Sequence, residues 1–349
     1  MKVLVLAPYA SSVASTRARA ESIVVHLNAS GVDAALLTAL GSTANRWWLS
    51  GGTRRLLALV SIAVAGLRGL WKLRSCDCIV VQREALPLNT LLVERAAVRR
   101  RIPLIWDIDD ALWHHRMGVS RHLRGSSSKY EWLARHASCI WTGSSVSMEW
   151  AVSFASGPVH RVPTALPVAD LPGQDDRDDG LLVWIGTPST ATFIEDLIER
   201  IGHHLEGWRL LVVGAEIRNA TALKVDCVPW SPRMEREALL SASVGLYPLG
   251  RSDFIDGKSG GKAILYMSYG LPQVVSDAPS ISEIMIGSEA GLIASGDGDW
   301  VGALRSLRDP EIRRQMGTNG LRHAREYFDI VKWNDWKTSC IEDLMGRRL

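Results

Sequence analysis

Short runs of aliphatic and β-branched residues alternate along the chain with longer stretches patterned for one helical face, as βαβ units around a parallel sheet require. In the first half the strand-like runs are Val3–Ala7, Ala34–Thr38, Cys78–Gln82, Leu104–Asp107 and Cys139–Thr142. Helical patterns fit between them at Ser15–Ser30, Leu56–Leu73 and Leu88–Arg100. In the first of these Ala18, Ile23, Val24 and Leu27 share a face, and Gly31 stops the helix. A Pro-broken stretch and the acidic run Gln174–Gly180 interrupt the pattern and read as a solvated linker. The alternation then restarts, with strands at Leu181–Ile185, Arg209–Val213, Val225–Val228, Val244–Tyr247 and Gln273–Ser276. Helices fit at Thr190–His204, Glu235–Ala242, Gly261–Tyr269 and Trp300–Leu307.

A chain of 349 residues exceeds the roughly 250–300 that one core organises. The fold class expected is therefore α/β, as two doubly wound, Rossmann-like domains facing across a cleft. The boundaries expected are 1–163, a linker at 164–180, a second domain at 181–330, and a helix at 331–349 packing back on the first domain. Forty basic against 37 acidic residues leave a net charge of +3, too balanced for a nucleic-acid binder. Five scattered cysteines show no zinc-ribbon spacing and suit a reducing cytosol. The longest apolar run, Leu56–Leu67, is 12 residues, short of the roughly 20 that cross a bilayer. A cytoplasmic location is expected.

Ligands of open α/β sheets bind beyond the carboxyl ends of the strands, so the informative loops are those leading from strand to helix. The richest is Asp256-Gly257-Lys258-Ser259-Gly260-Gly261-Lys262, which opens a helix. Small residues admit a ligand to the backbone, and a helix start offers unpaired N–H groups to a phosphate. Lys258 and Lys262 add charge. Two readings fit these residues: a diphosphate-binding helix start, or a Gly-rich turn with surface lysines. The P-loop pattern is absent.

The run from Gly257 through Tyr266-Met267 and Gly270-Leu271-Pro272 to Ser276 resembles the donor-site segment of family 4 glycosyltransferases. Other segments resemble that family in order: Gln82-Arg83-Glu84 after a strand, Asp107-Ile108-Asp109-Asp110, Trp184-Ile185-Gly186-Thr187-Pro188-Ser189-Thr190, and Asp309-Pro310 opening a helix that reaches Met316-Gly317. The resemblance implies a GT-B architecture, a nucleotide-diphosphate sugar donor on the carboxyl-terminal domain and an acceptor on the amino-terminal one. It also implies retention at the anomeric carbon, no metal, and no cofactor beyond the sugar nucleotide as co-substrate. Many relatives carry two glutamates eight positions apart, which fall here on Gly257 and Leu265. Leu265 cannot hydrogen-bond a ribose, and Asp256 is the carboxylate nearest the first position. Many relatives also carry an Arg and a Lys six residues apart after the first strand of the second domain; the segment from Gly186 through Thr187 to Ala191 has neither, so the resemblance leaves the cationic role to Lys258, with Lys262 or Arg251.

Asp109 and Asp110 suit orienting an acceptor hydroxyl or taking its proton; capping a helix at Ala111–Trp113 fits them equally. Gln82, Arg83 and Glu84 suit sugar hydroxyls, or Arg83 and Glu84 pair with each other. Ser15 or Thr16 reads as an N-cap, with Arg17 facing a phosphate or acceptor carboxylate, and Arg19 reads as exposed. The resemblance places the nucleotide base near the loop that holds Trp230, whose ring suits stacking on it, against a core or surface role. Residues 46–74 combine Arg46, Trp47, Trp48, Arg54, Arg55, Arg68, Trp71, Lys72 and Arg74 with aliphatics. That pattern belongs to a helix packed on a sheet or to one lying on an anionic membrane.

The function expected is glycosyl transfer to a saccharide, lipid-linked or small-molecule acceptor, with Lys258 and Asp109 or Asp110 as catalytic groups. Two alternatives stand beside it: a nucleotide-sugar epimerase or hydrolase, which shares the architecture of two facing α/β domains, and a non-catalytic nucleotide-sugar binder, which Gly257 and Leu265 keep open.

Overall fold

The computed structural model describes residues 1–50, 52–114, 127–169, 177–218 and 223–346, without the side chains of residues 49 and 50. The chain divides into two compact units, one of Met1–Ala165, Gly257–Ser259 and Ile330–Leu349, the other of Leu166–Asp256 and Gly260–Asp329. The first begins with β1 (Lys2–Tyr9), a π-helical turn (Thr16–Glu21), α1 (Ser22–Ala29), β2 (Asp33–Leu40), α2 (Ser42–Ser50) and α3 (Arg54–Lys72). It continues through β3 (Cys78–Gln82), α4 (Leu92–Arg99), β4 (Leu104–Ile108), α5 (Ser127–His136), β5 (Cys139–Thr142), α6 (Ser145–Val152) and β6 (Val159–Arg161). The second holds β7 (Leu181–Ile185), α7 (Ala191–Ile201), β8 (Arg209–Val213), β9 (Lys224–Val228), α8 (Pro232–Ser241), β10 (Val244–Tyr247) and α9 (Asp253–Asp256). Then come α10 (Gly261–Ser268), β11 (Gln273–Ser276), α11 (Pro279–Met285), β12 (Gly291–Ala294), α12 (Asp297–Ser306) and α13 (Pro310–Tyr327). The last helix, α14 (Ile330–Gly346), belongs to the first unit.

Each unit is built on a six-stranded sheet, in the orders β2-β1-β3-β4-β5-β6 and β12-β11-β10-β7-β8-β9. Every strand pair in both is parallel. Alternate residues of a strand face opposite sides, and both sides of the first sheet are covered. Leu4, Leu6, Ile79, Val81 and Trp106 join the core that holds Ile62 of α3 and Val93 of α4. Val3, Val5, Val80, Ile105 and Trp141 join Ile23 and Leu27 of α1 and Ile341 of α14 on the other. Burial on both sides is why these strands read as unbroken apolar runs.

Several elements differ from expectation. The helix expected from Leu88 starts at Leu92, and a π-helical turn replaces the first part of the helix expected from Ser15. β6, three residues long, and β12, which opens on Gly291, are too short or too weakly apolar for alternation to reveal. Of the acidic linker, 170–176 lie outside the described residues. Its described end is not free in solvent: Arg177 donates to the carbonyls of Leu239, Ala242 (both 2.8 Å) and Tyr269 (2.7 Å) of the second unit.

Lys337 on α14 is 2% exposed, with its ammonium 5.8 Å from the centre of the Trp141 ring. Burial pushes its pKa down to about 8; Asp107 opposes that shift and Arg19 adds to it. The unfolded chain therefore binds more protons between about pH 8 and the ordinary lysine value, and the contribution of Lys337 to stability rises with pH across that window. Lys337→Met is expected to raise the melting temperature at pH 7 and to remove that rise, as parallel pH series of thermal unfolding would read out.

Candidate functional site

In the second sheet the connection reverses direction between β7 and β10, and the ends of these neighbouring strands mark the switch point where such sheets bind ligands. Lys262, in the first turn of α10, places its ammonium there, 4.2 Å from the centre of the Trp184 ring of β7 and 5.3 Å from that of Tyr247 of β10. The two rings hold a cation by their faces. Gly186 follows β7 directly, and its backbone is so close that a Cβ would stand 2.3 Å from the Trp184 ring and 2.9 Å from Lys262 Nζ. Only glycine fits that position. Gly260, the N-cap of α10, has φ +64°, and a Cβ there would meet Ile284 Cδ1 at 2.1 Å. Left-handed backbone and close packing thus both demand glycine where the helix begins. Gly261 and Lys262 follow with first-turn N–H groups that the helix cannot satisfy itself.

Thr187 is exposed, with its hydroxyl 2.9 Å from that of Ser189. Trp230 lies beyond β9 and donates its indole N–H to Glu235 of α8 (2.7 Å), which fixes the ring's orientation. Arg251, after β10, lines a crevice with Ser276, Asp277 and Asp297, near the ends of β11 and β12. The switch point therefore has Trp230 to one side and Arg251 to the other. Asp256 ends α9, half-buried, and Leu265 is half-buried in α10.

The loop Gly257-Lys258-Ser259 groups with the first unit. Ser144 Oγ donates to the Gly257 carbonyl at 3.1 Å and Ser147 Oγ at 3.5 Å. A Cβ on Gly257 would meet Ala111 Cβ at 2.4 Å, and the Ser259 Cβ lies 2.9 Å from where Gly143 would carry one. The segment read from sequence as one diphosphate loop is thus divided, with Lys258 and Ser259 beside the ends of β4 and β5, and Gly260, Gly261 and Lys262 in the second unit.

In the first sheet the switch point lies between β1 and β3. Gln82 and Arg83 leave β3 and meet the aspartates that end β4, because Gln82 is in register with Asp107. Gln82 Nε2 donates to Asp109 Oδ2 (3.3 Å), and Arg83 Nη1 donates to Asp109 Oδ2 (3.3 Å) and Asp110 Oδ2 (3.1 Å). Arg83 holds φ +63°, a conformation that side-chain-bearing residues rarely adopt. Its backbone is pinned by Trp106 Nε1, which donates to its carbonyl (2.8 Å), and by its own N–H, which donates to the Asp107 carbonyl (2.8 Å). Asp109 Oδ1 is buried and accepts no hydrogen bond, although Arg83 Nη1 lies 3.3 Å away at an unfavourable angle. Burial raises the Asp109 pKa; Arg83 opposes the shift and Asp110 reinforces it. A carboxylate with one unsatisfied oxygen in a polar cluster can receive a hydroxyl.

Four expectations in this unit are corrected. Arg83 and Glu84 do not pair: Arg83 takes the aspartates, while Glu84 pairs with Lys129 and accepts from the Tyr130 hydroxyl (3.4 Å). Asp109 and Asp110 do not cap a helix, because Ala111–Trp113 form loop and turn. Ser15 is itself helical and its side chain caps nothing. Arg19 is not exposed but buried, its guanidinium against Asp107. Arg17 donates to the carbonyls of Ser11 (3.0 Å) and Ser12 (3.3 Å), bracing the loop after β1.

Trp184, Tyr247, Lys129 and Arg19 were not singled out as site residues. For Arg19 a signal existed: Arg19, Ile23 and Leu27 are four apart, and all three are buried. A cation on a buried face implies a carboxylate partner.

No protein-family model matches this chain, and no curated protein matches it in sequence. Among solved structures it is similar to sucrose-phosphate synthase from Thermosynechococcus elongatus, with a TM-score of 0.69 and 13% identity over 99% of this chain and 100% of that one. It is similar to WaaG, a glycosyltransferase involved in lipopolysaccharide biosynthesis, with a TM-score of 0.68 and 12% identity over 98% and 99% of the two chains. HepE from Anabaena, in complex with UDP and glucose, gives a TM-score of 0.67 and 12% identity over 98% and 99%. The two parallel, doubly wound sheets with their helices are the two Rossmann-like domains of the GT-B glycosyltransferase fold, and this chain has that fold.

Proposed function

We propose that this chain is a glycosyltransferase that moves a sugar from a nucleotide-diphosphate donor to an acceptor hydroxyl, with retention at the anomeric carbon and without a metal. The observation that carries the reading is Lys262 at the β7–β10 switch point, in the first turn of a helix whose N-cap must be glycine. The second unit takes the donor, its diphosphate against the amides of Gly260, Gly261 and Lys262 and the Lys262 ammonium. Charge grows on the diphosphate as the glycosidic bond breaks, and preorganised donors aimed at that charge supply the largest part of such rate enhancements. Lys258 and Ser259, which precede this helix start in the sequence, are assigned to the same diphosphate; Gly186 and Thr187 admit the donor to the backbone, and the Trp230 ring receives the base. Asp256 and Arg251 hold the sugar side. The first unit takes the acceptor, its hydroxyl oriented by the Asp109–Asp110 carboxylates that Gln82 and Arg83 hold; it gives its proton to that pair as its oxygen attacks the anomeric carbon from the face the diphosphate leaves. Ser15, Arg17 and Glu84 act indirectly, by shaping the loops around the cluster.

The test is a thermal-unfolding panel with UDP, GDP, ADP and dTDP, since a ligand bound only by the folded chain stabilises it by about 2.7 kcal/mol at a hundredfold excess over its Kd. One nucleotide is expected to stand out; indifference to all four at millimolar concentration contradicts the assignment. HepE and TarM are neighbours solved with UDP, which makes UDP the first to try.

We further propose that the acceptor is met at an anionic lipid surface. α3 buries Ala58, Ile62, Ala65, Gly66 and Gly69 on one face. Its opposite face carries Leu56, Val60, Val64, Leu67 and Trp71, which are 64, 61, 40, 66 and 67% exposed. These five recur every three or four residues, one continuous stripe, with Arg54, Arg68, Lys72 and Arg74 around it. Both faces being apolar, the helix packs on the protein with one and offers a lipid-binding surface with the other. No helix among the described residues is long and apolar enough to cross a membrane. The double variant Val60→Asp, Leu67→Asp is expected to abolish co-sedimentation with phosphatidylserine-containing vesicles without lowering the melting temperature. Equal sedimentation of both proteins contradicts the assignment.

A further inference from the structure

We propose that Cys139, His160 and Cys340 form a binding site for a thiophilic divalent cation, with Zn²⁺ the ion whose ligand chemistry they match. One ligand atom from each residue lies within 4.8 Å of the others. The two sulfurs are 3.8 Å apart, and two thiolates bound at ~2.3 Å to one tetrahedral zinc stand ~3.8 Å apart. A disulfide would bring them to ~2.05 Å. Thiols in simple contact would sit at a similar separation, so the imidazole completing the triangle is what marks the arrangement as a ligand set. Two thiolates and one imidazole leave a fourth position for water, and zinc is commonly held by such mixed sulfur–nitrogen sets.

The three residues are far apart in sequence, so no spacing motif announces them. β5 supplies Cys139, the edge strand β6 supplies His160, and α14 supplies Cys340, all within the first unit. Cys139 is fully buried, while His160 and Cys340 are half-buried and open a path for an ion. The His160 ring meets Trp336 of α14 edge to face at 5.1 Å, and Trp336 meets Trp141 of β5 in the same way at 6.3 Å. That packing fixes the imidazole plane. Bound metal would fasten α14 to the edge of the sheet, and its binding energy would add to the stability of the fold. The site uses none of the residues assigned to sugar transfer.

The test is titration of the full chain, reduced and stripped by chelation, with Co²⁺ and then Zn²⁺. One Co²⁺ per chain is expected, with a thiolate-to-metal charge-transfer band and the intense visible bands of tetrahedral geometry, all removed by Zn²⁺. Zinc at a hundredfold excess over its Kd should raise the melting temperature by roughly 5–10 °C. Cys340→Ala and His160→Ala should each weaken binding at least tenfold while keeping the native circular dichroism. Absence of the charge-transfer band in the reduced wild-type chain overturns the proposal even should both variants misfold, and so does a band unchanged in both variants.

Discussion

Asp107→Ala should destabilise the first unit by about 3–5 kcal/mol, the range for leaving one partner of a buried ion pair uncompensated. Its partner is Arg19, and the two side chains are 1% and 0% exposed. Arg19 Nε lies 3.0 and 3.1 Å from the two Asp107 oxygens, and Nη2 reaches the same carboxylate. Nη1 donates to the Val162 carbonyl (3.0 Å) and reaches Thr164 Oγ1 (3.4 Å). Burial works to lower the Arg19 pKa, but Asp107, together with Asp109 and Asp110, outweighs it and the guanidinium stays charged, with a pKa above its usual value. Removing the carboxylate leaves that charge with neutral hydrogen-bond partners alone, at Val162 and Thr164, and only the indirect influence of Asp109 and Asp110. The double replacement Arg19→Met, Asp107→Leu should cost clearly less than Asp107→Ala, because desolvation of both charges then disappears from the balance. Denaturant unfolding of the three proteins, followed by tryptophan fluorescence, measures the difference. A double variant as unstable as the single one would show that lost packing, rather than a stranded charge, sets the cost.

Lys262→Ala should lower turnover about 10²–10³-fold, the loss typical of removing one donor from a developing oxyanion. Lys258→Ala is expected to fall in the same range. Lys262 also packs over Trp184 and Tyr247, so a purely structural role must be separable. Lys262→Arg keeps the charge and the ring contact but changes the reach of the donor. It is expected to retain stability and part of the activity. If Lys262→Ala lowered the melting temperature yet left turnover per folded molecule intact, Lys262 would serve packing alone.

The sheet-forming core was legible from the sequence because the interior strands of both sheets are buried on both faces and appear as apolar runs, although the edge strand β9 is largely exposed. β6 and β12 were not, since β6 is three residues of mixed polarity and β12 opens on a glycine and is only partly buried. The π-helical turn ahead of α1 is a departure from the helical period that no residue type announces. Lys262 could be placed at a helix start from its glycines, but its position over Trp184 depends on β7 and β10 being neighbours, which only topology supplies. The pairing of Gln82 and Arg83 with Asp109 and Asp110 likewise comes from the register of β3 against β4. Arg19 was misread because an arginine in an amphipathic helix is exposed unless a distant carboxylate awaits it.

Hydrogen exchange of the wild-type chain, with and without a saturating nucleoside diphosphate from the panel, reports directly on where the nucleotide sits. The account predicts slowed exchange at the amides of 260–263 and around Gly186, with β2 unchanged. Saturated nucleotide that leaves 260–263 exchanging at the free rate, or protects only segments of the first unit, would contradict it.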